Sequence, residues 1–383
     1  MKSAKLVALS ALSLPVAALA GLYGDIPDAT HAWSVHDENR PKPSRVTVDE
    51  KGIPSDAIVL FDGTKASMEK NWTNGENGDP SKWIVDEEEG SFSCGTGFTF
   101  GECATREEFG DCQLHIEYRH PADTVSINGN AQMRGNSGVF LMGQRYGYEV
   151  QVLESYYTCK ELEGQPEFIQ NYADGQAGSV YAENPPLVNP QRKPGEWQVY
   201  DIVFHQPIWK DGVLLHPGSL TVFFNGVLVQ DHWEMEGETT HCRRRPLAPH
   251  PTKGPLSLQD HGCPVSFRNI WIRPLASRWD NLTHSNMSAD PAKVLETRRA
   301  TAAALYAKIA DKKAATAANV LALGEVVSYS NEARYATEFW NALEAYRASK
   351  PTDKKEVANV NNRLGALIRA NIIAESDKIA VPE

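Results

Sequence analysis

"SLTVFFNGVLVQ", residues 219–230, decides the fold class. Asn225-Gly226 is a dipeptide that tolerates positive φ at both central positions, as a two-residue hairpin turn demands, and apolar strand-forming residues flank it on both sides. Runs of the same kind fill the chain from Ala57 to Leu275: "AIVLFDG" (57–63), "KWIVDEEEGSF" (82–92), "CQLHIEYR" (112–119), "SGVFLM" (137–142), "YEVQVLE" (148–154), "WQVYDIVFH" (197–205) and "FRNIWIRPL" (267–275). Each is short, alternates in polarity and ends at Gly, Pro, Asn or Asp. No helical period intervenes. Many such strands in succession predict an all-β sandwich or barrel.

Outward from this region the chain changes character. Residues 21–55 are rich in Pro, Asp and His without periodicity and read as an extended N-terminal arm. After about residue 288 a helical class begins: Asp290 before Pro291 pairs a capping side chain with a proline at the first helical position. Tyr335, Phe339, Leu343 and Tyr346 form one apolar stripe, and Val357, Val360, Leu364, Leu367 and Ile368 another. These helices are a candidate for oligomer contacts.

At the N-terminus, Lys2 and Lys5 precede an apolar stretch from Leu6 to Leu19, and Ala18-Leu19-Ala20 is a small-x-small site. Residues 1–20 read as a signal peptide with cleavage near Ala20, too short for a membrane span, so the expected location is secreted or periplasmic. The formal charge of −11 over 383 residues argues against a nucleic-acid or anionic-membrane partner. Six cysteines (94, 103, 112, 159, 242 and 263) in an oxidising compartment predict some disulfides. Cys94 and Cys103, flanking a Gly-Thr-Gly turn, are the pair suggested as a cross-strand staple.

Strand alternation sorts side chains by face. In 112–119, Leu114, Ile116 and Tyr118 share one side, and His115, Glu117 and Arg119 the other. In 148–154, Glu149 and Gln151 oppose Val150 and Val152. In "PLSLQDHG" (255–262), Ser257, Gln259 and, just beyond, His261 oppose Leu256 and Leu258. Any one such face is ordinarily the solvated side of an antiparallel sheet. Together, Arg134, Asn136, Glu149, Gln151 and His261 suggest one polar hollow lined by several strands.

The runs "DAIVLFDG", "FGDCQLHIEYR", "RGNSGVFLM", "YEVQVLES", "YADGQAGSVY", "PLVNPQRKPGEWQVYDIVFHQP", "TVFFNGVLVQD" and "GPLSLQDHGCPVSFRNIWIRPL" closely resemble the 3-keto-disaccharide hydrolase family, in order, over about residues 56–275. Glu154 stands where many relatives carry Asp, and "YYTCKELEGQPEFIQNYADG" holds an insertion and an extra cysteine. The resemblance implies a mainly β, concanavalin A-like jelly-roll β-sandwich at 56–280 with its site on a concave face, followed by a C-terminal α-helical region at 288–383. It also implies cleavage of glycosides oxidised to a ketone at C3.

That ketone acidifies the C2 hydrogen, so one base can remove it, the C1 substituent is eliminated, and water adds to the enone. The chemistry asks for a base, a donor to the enolate oxygen and an acid for the leaving group. Glu149 and His261 are cast as the base and the acid, in either order, and Arg134 as the oxyanion donor. Asn136 and Gln151 are cast on sugar hydroxyls; Gln259 and Tyr148 are further candidates for substrate contact, and so are Glu117 and Arg119, for which an ion pair bracing the sheet is an equal reading. A divalent cation held by Glu149, His261 and a third carboxylate is an alternative electrophile. Two rival functions stand beside this one: a lectin-like binding module, and an ordinary glycosidase with paired carboxylates.

Overall fold

The computed structural model describes residues 22–98, 100–125, 129–276 and 290–382. Residues 1–20, read as a signal peptide, lie outside them. The chain divides into two compact units, one of Arg45–Ser277 and one that joins the stretch up to Ser44 with the chain from Arg278 onward.

The first unit opens with β1 (Ile58–Phe61), helix α1 (Lys65–Asn71), β2 (Trp72–Asn74), β3 (Ile84–Asp86) and β4 (Ser91–Ser93). β5 (Cys103–Phe109), β6 (Cys112–Arg119), β7 (Ser137–Leu141) and β8 (Tyr148–Val152) follow. A long connection leads to β9 (Gln198–His205), β10 (Ile208–Lys210), β11 (Val213–His216), β12 (Ser219–Phe224) and β13 (Val227–Glu234). Two residue pairs, β14 (Gly237–Glu238) and β15 (Arg245–Pro246), precede β16 (Gly254–Leu258) and β17 (Ser266–Pro274).

These strands make the expected sandwich of two antiparallel sheets. One has 8 strands, in the order β13-β12-β9-β6-β17-β4-β3 with β1 also on β17; the other has 5, in the order β2-β5-β16-β7-β8. The hairpin read from Asn225-Gly226 closes β12 on β13, with Phe224 opposite Val227 and positive φ at both turn residues (49° and 80°). Alternation decides what each sheet buries. Leu114, Ile116 and Tyr118 of β6, Tyr200, Ile202 and Phe204 of β9, and Tyr148, Val150 and Val152 of β8 meet in one core. Burying a side chain of this size stabilises the fold by about 1.5–3 kcal/mol, so the two periods of two fix the register of both sheets.

The suggested Cys94–Cys103 staple is not formed. Cys94 follows β4 in the larger sheet and Cys103 begins β5 in the smaller, so the two are not cross-strand neighbours. The Cys94 thiol donates to the Cys263 carbonyl at 2.9 Å, and Cys103 Sγ lies 3.4 Å from the Ser81 hydroxyl. All six cysteines are free thiols.

The second unit contains α2 (Pro291–Lys308), α3 (Ala317–Tyr329), α4 (Ala333–Ala348) and α5 (Lys354–Arg369). Asp290 accepts from the Ala292 amide and Pro291 takes the first position, as the sequence predicts. The stripes on α4 and α5 bury themselves around α3, which has buried residues on all sides. The stretch expected as an extended arm departs from that reading in its first half. Leu22 is buried among the helices, Asn39 donates to Glu325 at 2.7 Å, and Arg298 donates to the Asp28 carbonyl at 2.8 Å. Isolated apolar residues in a Pro- and Asp-rich segment carry no period, yet a few suffice to dock it. Among the described residues no helix is long and apolar enough to cross a membrane.

Candidate active site

The register of the five-stranded sheet brings Ser257 and Glu149 into one row on its outer face. Ala104 of β5 faces Ser257 of β16, Ser257 faces Phe140 of β7, and Phe140 faces Glu149 of β8. The next row on that face pairs Gly138 with Gln151, and the Gln259 amide donates to the Gly138 carbonyl at 3.1 Å. Two residues beyond Gln259 comes His261. The sheet edge is extended past β8 by a bridge from Val150 to Val180. Because Val180 points to the core, Tyr181 stands on the outer side, and its amide donates to the Glu149 carbonyl at 3.2 Å.

Glu149 is the centre of this face. It is 5 % exposed, and among the described residues its carboxyl has neither a hydrogen-bond nor an ion-pair partner. Burial alone pushes its pKa up to about 8, because a desolvated carboxylate costs far more than a neutral carboxyl. The carboxyl leans across Gly138: a Cβ there would come within 2.3 Å of Glu149 Oε1, so glycine is what makes room for it.

Other polar atoms around it are also unspent. Asn136 Oδ1, Ser257 Oγ and His261 Nδ1 are buried without a hydrogen-bond partner among the described residues. Unpaired buried polar atoms are rare in native folds, and several on one face mark a place built to receive a polar ligand. Burial lowers the His261 pKa, which favours the neutral imidazole, the form able to accept a proton. Beside it, Phe98 lies 5.3 Å away between ring centroids and is 60 % exposed. Asp260 fixes both: its carboxylate accepts from the amides of Phe100 (2.9 Å), Gly101 (3.1 Å) and Gly262 (2.9 Å), tying the Phe98 loop to the His261 turn.

The structure sorts the sequence candidates. Glu149, Gln151, Gln259, Asn136 and His261 share the outer face, although Gln151 is spent locally: it donates to Gln132 Oε1 at 3.4 Å and accepts from the Val152 amide at 3.1 Å. Asn136 donates to the Gln132 carbonyl at 2.5 Å and keeps its oxygen free.

Arg134 is not brought to Glu149. Its guanidinium is paired with buried Glu154, and its carbonyl accepts from the Glu154 amide. Glu154 lies past the end of β8, five residues from Glu149, or about 16 Å of extended chain at 3.3 Å per residue. Tyr148 shares the parity of Val150, faces the core at 0 % exposure, and bonds His250 Nε2 at 2.9 Å.

Glu117 and Arg119 belong to β6, hence to the other sheet. Glu117 pairs with Arg268 at 2.7 Å and Asn269 at 2.9 Å, and Arg119 with Glu89 at 2.6 Å. For the divalent-cation alternative the third ligand is missing: among the described residues no group of three His, Cys, Asp or Glu side chains is gathered. Asp260, next in sequence to His261, has both oxygens committed to backbone amides.

Sequence reasoning passed over Phe98, Gln132 and His241. The Tyr181 hydroxyl lies 2.8 Å from His241 Nδ1 and 3.2 Å from the Tyr172 hydroxyl. Phe98 and His241 sit in loops and Gln132 in a single 3-10 turn (Ala131–Met133), where no period betrays a face. A larger cavity, about 630 Å³, lies in the helical unit beside Trp33 and α2. Its charged groups, Lys293, Glu296 and Lys308, are exposed, so it lacks the desolvated acid and base found on the sheet.

The family match falls on the residues of the β-sandwich. Residues 56–273 match the family described as the 3-keto-alpha-glucoside-1,2-lyase-like domain. A crystal structure of a "putative glycosyl hydrolase" from Parabacteroides distasonis is 39% identical, covering 61% of this chain and 93% of that one, with a TM-score of 0.52. A second "putative glycosyl hydrolase" of that organism is 21% identical, covering 57% and 94%, with a TM-score of 0.39. No curated protein matches the chain.

Proposed function

The chain belongs to the 3-keto-alpha-glucoside-1,2-lyase-like family, and from that premise we propose that it cleaves 3-keto-glycosides by elimination followed by hydration. One observation carries the reading. A buried carboxyl without a partner, held protonated up to about pH 8, shares a face with a desolvated neutral imidazole. Acid and base with pKa values pushed past each other are what proton transfer at neutral pH requires.

In the proposed reaction, His261 removes the C2 proton and the C–H electron pair moves to the C3 oxygen as an enolate. The Gln259 side-chain carboxamide donates to that oxygen in place of Arg134, whose charge Glu154 neutralises. The enolate collapses, the C1–oxygen bond breaks, and the leaving oxygen takes the proton of Glu149. Water then adds at C1 of the enone, losing a proton to the Glu149 carboxylate, while His261 returns a proton to C2, and the net result is hydrolysis. Asn136 Oδ1 and Ser257 Oγ are free to bond sugar hydroxyls. Export belongs to the same reading: with residues 1–20 removed near Ala20, the enzyme acts outside the cytoplasm, and N-terminal sequencing of the exported protein tests this.

Purified protein is incubated with 3-keto-trehalose, an aryl 3-keto-glucoside and the matching unoxidised glycosides in deuterated water. The expected outcome is cleavage of the keto substrates alone, with deuterium at C2 of the product. Comparable turnover of the plain glucosides would replace the proposal with an ordinary glycosidase. Tight binding without turnover would replace it with a carbohydrate-binding module.

A further inference from the structure

Past the edge of β8 the outer face opens into a cavity of about 330 Å³, lined by Tyr172, Asp174, Tyr181, His241, Arg243 and Arg244. It adjoins Glu149, because Tyr181 is the residue whose amide bonds the Glu149 carbonyl. Its volume sits at the low end of the roughly 300–1,000 Å³ found for small-molecule sites, enough for one substituted ring and too little for a disaccharide.

The walls have a definite chemistry. The two phenols are held by a chain of hydrogen bonds, Tyr172 to Tyr181 at 3.2 Å and Tyr181 to His241 Nδ1 at 2.8 Å, so their ring faces are fixed before anything binds. Arg243 and Arg244 are exposed and pair with no carboxylate among the described residues, whereas the next residue, Arg245, has Glu238 at 3.9 Å. Asp174 is the single acid among the lining residues, so two guanidinium groups face one carboxylate. Unpaired guanidinium groups beside ordered aromatic faces suit a planar anion, which they bind bidentately while the ring stacks.

The geometry points to this cavity as the leaving-group subsite, selective for a ring-sized leaving group that bears a carboxylate. The inference rests on the 3-keto-glycoside reading, in which the sugar lies over Glu149 and its C1 substituent extends past the β8 edge.

The experiment uses the full chain and two ligand pairs: 4-carboxyphenyl and phenyl glucosides for calorimetric binding, and their 3-keto forms for kcat/KM. Wild type is expected to favour the carboxylate in both measurements by about 10-fold, less as salt is raised, because exposed charges are screened within about 10 Å at 0.1 M. In the Arg243→Ala/Arg244→Ala variant that ratio is expected to fall to near one, and the Arg243→Lys/Arg244→Lys variant to recover part of it. Equal binding of the two ligands by wild type, or a ratio that survives loss of both arginines, would overturn the subsite. The two readings fail separately. A carboxylate preference in binding with no turnover of any keto substrate sinks the reaction and leaves the cavity assignment standing. Turnover without preference does the reverse.

Discussion

On the outer face of the eight-stranded sheet, His115 Nδ1 lies 2.7 Å from Asp201, Glu117 binds Arg268 and Asn269, and Arg119 binds Glu89. On the outer face of the five-stranded sheet, Glu149, Asn136, Ser257 and His261 keep atoms that bond nothing among the described residues. Both faces place acids, amides and imidazoles at alternate strand positions. They differ in whether the charges are answered from within the fold. Burial opposes the charge on His115, but its hydrogen bonds to Asp201 and Glu117 outweigh that and hold its pKa at about 9. Burial likewise opposes ionisation of Glu117, yet bonds from His115, Asn269 and Arg268 bring it to about 2. Glu149 has the burial without the bonds. A satisfied network braces a sheet; an unsatisfied one is poised for a ligand.

The largest expected effect tests that contrast with one substitution on each face. Glu149→Gln removes the acid and is expected to lower kcat/KM on 3-keto-glycosides by about 10³-fold, within the usual range for a general acid–base group. Its melting temperature should hold or rise, since no bond is lost. Glu117→Gln should keep kcat/KM within about 2-fold and cost about 1 kcal/mol, a drop of about 2–4 °C. If Glu149→Gln destabilised the protein and kept its activity, the two faces would have to exchange roles.

A smaller, graded effect is expected with pH. Neutral His261 and protonated Glu149 require kcat/KM to fall below a point under 6.5 and again above about 8. Stability moves differently on the two faces. The His115 contribution is complete below 6.5 and lost as pH rises through about 9; that of Glu117 is complete above 4.5 and lost as pH falls toward about 2. For Glu149 the folded state prefers the neutral carboxyl, so its contribution is complete below 4.5 and lost as pH rises through about 8. Denaturant unfolding from pH 4 to 9 should therefore show Glu149→Gln gaining on wild type as pH rises from 4.5 to 8. A constant gap would mean that Glu149 is hydrated in the folded protein.

Period and turn chemistry explain why the sandwich was legible in the sequence: the alternation in 112–119 and 148–152 and the Asn225-Gly226 turn each decide a local geometry without help from distant residues. The same alternation put Glu149, Gln259 and His261 on faces correctly. It could not say which sheet a face belongs to, so Glu117 and Arg119 stood as further candidates beside an equal reading as a brace of the sheet. That is a tertiary fact, set by β6 pairing with β9 and β17. Nor does parity reveal a partner: Arg134 looks available until Glu154 closes on it. Tyr148 was legible, since it shares the parity of Val150, and its proposed role overrode that signal. Phe98, His241 and the arginines beside it lie in loops, where position follows from caps and packing and no repeat announces it.

The aromatic residues sharpen the comparison last and most gently. On the braced face Trp197 lies under Arg119 and Arg268, with guanidinium carbons 4.7 and 4.0 Å from its centroid, and Trp271 stacks on His115 at 5.2 Å and 5°. Those ring faces are occupied. Phe98 is 60 % exposed beside His261, held there by Asp260 at a backbone φ of 56° that a non-glycine residue adopts only when its surroundings insist. An apolar ring kept in water next to an unspent base is placed to cover one face of a pyranose. Phe98→Ala is expected to raise KM for 3-keto-glycosides about 3- to 10-fold, as loss of an apolar contact worth about 1 kcal/mol would, with kcat changed less than KM. Trp197→Ala should lower the melting temperature and leave KM alone. A KM unchanged by Phe98→Ala would show that the sugar ring approaches from the Tyr181 side, and Phe98 would lose its place in the site while Glu149 and His261 kept theirs.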